Sequence, residues 1–193
     1  MNIQRERVTG CARITTALLG VIAAHAANAQ CPHAWAQGFG DPGLGMNDGP
    51  MAWAVFDPDG PGGTPAALHV GGWFGAAGGV NVNHVARWTG TGWAALADGI
   101  SGANVLAMAA YDPDGGGPFP GALFVGGDFF TAGGISAPRI ARWDGASWAP
   151  VAGGLLGGVV RALAVFDDGT GEMLYAGGDF QTSSGNPVPR IAK

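Results

Sequence analysis

Aspartate, histidine and cysteine carry most of the reactive chemistry this sequence offers, and their spacing decides what that chemistry could be. Asp57-Pro58-Asp59-Gly60 and Asp112-Pro113-Asp114-Gly115 have the oxygen-rich start of a calcium loop. A calcium ion, however, wants about 6 to 8 oxygens and usually a distal bidentate carboxylate. No glutamate follows in either loop, and the later counterpart is only Asp167-Asp168-Gly169, so these segments are expected to be turns. A transition-metal site would need His33, His69 and His84 to converge with carboxylates or thiolates. His69 falls in a predicted strand where the same pattern, further along, carries Phe124, so a packed imidazole is expected there. His84 follows Asn81 and Asn83 in a loop that varies along the chain. Variable loops on a constant frame are where recognition is usually placed, and Asn81, Asn83 and His84 are therefore the candidate ligand-binding residues.

No nucleophile elbow of the form Gly-x-Ser-x-Gly and no His-Glu-x-x-His occurs. Gly38-Phe39-Gly40 lacks a following helix, which rejects a phosphate-binding loop. Acid pairs for glycoside hydrolysis would have to be assembled in three dimensions from turn aspartates. The expectation is a chain with no catalytic residue, no metal and no cofactor.

The frame beneath these residues is a repeat. Val55-Phe56-Asp57, Ala110-Tyr111-Asp112 and Val165-Phe166-Asp167 recur at a spacing of 55. Gly71-Gly72 returns as Gly126-Gly127 after 55 residues and as Gly177-Gly178 after 51. Ala86-Arg87-Trp88 returns as Ala141-Arg142-Trp143, then as Ala192-Lys193. The third copy has shortened one loop, between Asp167 and Gly177, as expected of a loop outside the core. Each copy carries four short β signals, in the second at Val105 to Tyr111, Ala122 to Phe129, Arg139 to Trp143 and Trp148 to Ala152. Asp144-Gly145 is a tight hairpin signal between tryptophans.

Four antiparallel strands at a period near ~50 predict an all-β chain built as a β-propeller. The expected units are a fourth-strand-like segment at 34–41, blades at 51–99 and 105–154, and a partial blade at 160–193. The repeated tryptophans Trp88, Trp93, Trp143 and Trp148 are expected to fill the wedge between blades, and the Gly-Gly pairs to admit a close neighbour. About three blades is fewer than a closed ring uses. The expectation is therefore an incomplete ring, or one completed by further copies of the chain.

Composition agrees with this frame and adds an address. Of 193 residues 37 are glycine and 13 proline, while 47% are hydrophobic and only 12% charged; such a chain can bury a core but disfavours helices. Residues 1–29 read as a secretory signal peptide: Arg5, Arg7 and Arg13 precede the apolar run from Ile14 to Ala24, and Ala27-Asn28-Ala29 fits the cleavage pattern. The apolar run is too short for an ordinary membrane span. Without Arg5, Arg7, Arg13 and Glu6 the chain holds six basic and thirteen acidic residues, a net of −7, a poor match for nucleic acid. Cys31 would then be alone, so no disulfide is expected within the exported chain. A secreted, periplasmic or cell-surface protein is the predicted setting, with no membrane span after cleavage.

Two segments carry a family resemblance. Leu123-Phe124-Val125-Gly126-Gly127-Asp128-Phe129-Phe130-Thr131-Ala132-Gly133-Gly134 and Arg139-Ile140-Ala141-Arg142-Trp143-Asp144-Gly145-Ala146-Ser147-Trp148 resemble bacterial secreted kelch-like repeats. They are similar to the central domains of galactose-oxidase-type proteins and to fungal cell-surface repeat proteins. The resemblance runs from about Trp35 to Lys193 and implies a β-propeller outside the cytoplasm, without implying an activity. Copper-radical chemistry of the galactose-oxidase kind is not expected, since Tyr111 and Tyr175 lie on repeat strands and Cys31 has no companion. The expected function is a non-catalytic module binding a glycan or a protein. The alternatives are a fragment of an extracellular polysaccharide hydrolase or lyase, and a piece of chain without independent function.

Overall fold

Short apolar runs between glycine and aspartate turns become strands wherever a neighbour can pair with them. The computed structural model describes residues 45–60, 63–102, 104–113 and 121–193. The leader expected at 1–29, the segment 34–41 and most of the turn after Asp112 lie outside the described residues. Within them every regular element is a strand.

The first repeat comprises β1 (Pro50–Phe56), β2 (Ala67–Gly72), β3 (Ala76–Ala77), β4 (Val80–Asn81), β5 (Val85–Trp88), β6 (Trp93–Ala95) and β7 (Ile100–Ser101). The second runs through β8 (Val105–Tyr111), β9 (Ala122–Gly127), β10 (Thr131–Ala132), β11 (Ile135–Ser136), β12 (Ile140–Trp143), β13 (Trp148–Pro150) and β14 (Leu155–Leu156). The third holds β15 (Val160–Asp167), β16 (Glu172–Gly178), β17 (Thr182–Ser183), β18 (Asn186–Pro187) and β19 (Ile191–Ala192). The main sheets are antiparallel, in the orders β1-β2-β5-β6, β8-β9-β12-β13 and β15-β16-β19.

The four expected strands of the second repeat are present, with the second and fourth shorter than expected and the third starting at Ile140. Two features were not anticipated. A small hairpin, such as β3-β4, sits between the second and third main strands, and a connector strand follows the fourth. The connectors stitch repeats together: β7 pairs with β10, and β14 with β17. Met46 bridges Ala77 in the same way ahead of the first repeat.

Glycine allows the main sheets to approach. A Cβ on Gly71 would lie 2.3 Å from Val105 Cγ1, and one on Gly126 would lie 2.5 Å from Val160 Cγ1; any side chain there would hold the next sheet away. The second glycine of each pair faces its own sheet's first strand, where a Cβ on Gly72 would meet the Gly49 carbonyl at 2.4 Å. That strand shifts register at the same place in each repeat, between Pro50 and Ala52, Val105 and Ala107, and Val160 and Ala162. The bulge bends the strand over the glycine pair.

The apolar cores lie between sheets. One cluster joins Phe56, Val85, Leu96 and Ile100 of the first repeat to Val105, Leu123, Val125 and Trp148 of the second. Another joins Ile140 and Leu155 to Val160, Ala176 and Phe180. Phe74, Phe129 and Phe180 are fully buried at equivalent positions, each worth roughly 1.5–3 kcal/mol of transfer free energy. Trp88 pairs across the hairpin with Trp93, and Trp143 with Trp148, at 5.2 Å between ring centroids. The Trp148 indole N–H donates to the Leu96 carbonyl at 2.9 Å, tying the second repeat to the first.

Candidate functional site

The residue immediately before the third main strand of each repeat is a non-glycine in left-handed backbone: His84 (φ 67), Arg139 (φ 67) and Arg190 (φ 70). Such a conformation is costly for a side-chain-bearing residue and persists only when its surroundings fix it. The backbone of each is anchored at both ends. The amides of His84, Arg139 and Arg190 donate to Phe74, Phe129 and Phe180 at 2.7, 2.8 and 2.9 Å, and their carbonyls accept from Gly72, Gly127 and Gly178 at 3.0 Å. This loop position is therefore constant in geometry and variable in side chain.

What faces it differs as well. In the second repeat the Arg139 guanidinium pairs with Asp128 and lies 4.2 Å from the centre of the Phe130 ring. In the first repeat the equivalents of Arg139 and Asp128 are His84 and Trp73, whose rings meet at 5.9 Å and 43°. Trp73 remains half exposed. Burial lowers the pKa of His84, and its buried Nδ1 has no hydrogen-bond partner among the described residues. A neutral imidazole beside an open indole face is the result.

The three residues singled out by sequence play different parts. Asn81 ends β4, exposed, opposite Ala76. Asn83 also adopts positive φ and donates its amide to the Asp98 carbonyl at 2.9 Å, while its own carbonyl accepts from Ile100. That side chain holds the connector to the next repeat. His84 is the member whose ring joins an exposed aromatic surface. Trp73 was missed by sequence reasoning, although its departure from aspartate at 128 and 179 was visible as a break in the repeat.

The remaining chemistry is structural. His69 is buried, with Nδ1 3.0 Å from the Ala67 carbonyl and its ring edge-on to Phe56 at 5.7 Å. Turn aspartates spend their oxygens on nearby amides: Asp57 accepts from Gly60, Asp144 from Ala146 and Ser147, and Asp167 from Gly169 and Gly171. Asp168 gathers Thr170, Tyr175 and Lys193, and the Lys193 ammonium first of all holds its carboxyl far below the usual range. Among the described residues no three histidine, cysteine or acidic side chains come together as a metal site. No protein-family model matches this chain, and neither does any curated protein or solved structure.

Proposed function

We propose that the chain is an exported, non-catalytic β-propeller module that binds a glycan through the Trp73–His84 corner of its first repeat. The propeller reading is supported by face-to-face stacking of repeated antiparallel sheets, with the first strands β1, β8 and β15 lying side by side. Export rests on the residue pattern at 1–29. The observation that carries the binding reading is the half-exposed Trp73 ring against His84 on an anchored loop. An indole face suits the apolar C–H face of a sugar ring, while the imidazole suits its hydroxyls. Turn aspartates already engaged with amides favour binding over hydrolysis.

The test is a glycan array followed by calorimetry with the purified chain. Binding that Trp73→Ala abolishes, and that His84→Ala weakens by about tenfold, the loss of roughly one charge-free hydrogen bond, supports the reading. No binding across the panel, or binding indifferent to Trp73→Ala, overturns it.

A further inference from the structure

Stacking of sheets has a direction in this chain. Each main sheet presents a near face to the sheet before it and a far face to the sheet after it. The first sheet's near face and the third sheet's far face are left uncovered by the described residues, and both are apolar. On the near side Trp53 is 70% exposed, whereas Met108, its counterpart in the second sheet, is 8% exposed under the first. Val55 beside it is exposed as well. Trp53 lines a groove of about 530 Å³ together with Met46, Pro50, Leu68, Val70 and Trp93.

On the far side Phe166 is 61% exposed, whereas its counterpart Phe56 is 3% exposed beneath the second sheet. Ile191 is open where Val85 is fully buried. Gly177 adds a sharper sign. Its counterparts Gly71 and Gly126 are glycines because a valine of the next sheet presses on them, but nothing lies closer than 3.9 Å to a Cβ on Gly177. The glycine notch is present and its occupant is not.

We propose that the two open faces belong together: the near face of the first sheet in one copy packs on the far face of the third sheet in a second copy, reciprocally, as a two-fold dimer. The chain already makes this interface twice, first sheet on second and second on third, so a third instance continues an existing contact. Pro50 stands where Val105 and Val160 stand and enters the notch at the partner's Gly177. Trp53, in the place of Met108 and Leu163, covers the partner's Ala162 and Phe166. A buried tryptophan of this kind is the usual anchor of an interface. The contact joins two different faces, so a second, symmetric contact must close the ring to prevent a filament. Six stacked sheets result. The inference uses the sheet stacking alone and does not depend on the ligand proposed above.

Light scattering and sedimentation of the purified chain at micromolar concentration test it. Twice the mass of one chain is expected, and a monomer or an open-ended polymer overturns the proposal. A Cβ on Gly177 makes only ordinary contacts within its own chain, with Ala162 Cβ at 3.9 Å and the Arg190 carbonyl at 4.0 Å, so Gly177→Val should fold with an unchanged β-sheet spectrum, yet yield monomer. Trp53→Lys, on the opposite face, should do the same. A dimer surviving both substitutions overturns the assignment of the faces. If either variant loses its β-sheet spectrum, Ala162→Arg, at an exposed position, replaces it with the same expected outcome. Glycan binding by such a monomer separates the two proposals.

Discussion

His69 occupies a place that Phe124 fills one repeat later, and the substitution writes a pH dependence into the fold. Burial, aided by the facing Arg87, pushes its pKa down to about 4 from an ordinary 6.5, against a backbone hydrogen bond that raises it. The folded chain therefore holds a neutral imidazole that the unfolded chain protonates below pH 6.5. Its contribution is complete above that value and falls away as pH drops toward 4, by about 3 kcal/mol. Thermal melts between pH 7 and 4.5 should show this decline, and His69→Phe should remove most of it. Asp59, held low by the Thr64 amide, titrates below that window and does not confuse the reading. A second residue carries backbone strain: Ala152 is exposed at φ 46. Replacing it with glycine relieves the left-handed penalty, and Ala152→Gly should raise stability by about 1 kcal/mol in denaturant titration. His84 was readable as an outlier in a variable loop and Trp73 as a break in the repeat, but their pairing was not. One lies after the second strand and the other before the third, and only the loop's return brings the rings together.

The sheets depend on notches as much as on apolar bulk. A Cβ on Gly126 would sit 2.5 Å from Val160 Cγ1 and 3.4 Å from Leu163, and neither β9 nor β15 can retreat without opening the core around Val160. Gly126→Ala should cost about 2 kcal/mol or more by the overpacking rule. Val160→Ala removes the offending methyl and should recover part of that loss, so a double-mutant cycle in urea will show favourable coupling between the two. Additive losses would mean that the sheets are not held in this contact. The need for these glycines was legible from their recurrence, as were the main strands, because seven-residue runs such as Val105–Tyr111 announce themselves between turns. The two-residue strands were not legible. A pair such as Thr131–Ala132 has too few residues to display a period, and its pairing with Ile100–Ser101 depends on a contact between repeats.

Nearest-neighbour stacking also dictates how the whole chain should open. The second sheet is covered on both faces, with Leu123, Val125 and Ala141 fully buried, whereas the first and third each have one face uncovered. Repeat arrays of this kind lose structure from their least-supported ends. Hydrogen exchange followed by mass spectrometry under dilute conditions, where copies are apart, should find the slowest amides in β9 and β12. Those of β16 and β19 should exchange faster, because Gly177 and Ile191 face solvent. Raising the protein concentration until the two faces meet should slow exchange in β1, β15 and β16 and leave β9 unchanged. Each face gains only what a neighbouring sheet supplies, and β9 already has both neighbours. Uniform protection of all three sheets at every concentration would mean that the chain opens as one unit, with no role for the order of stacking.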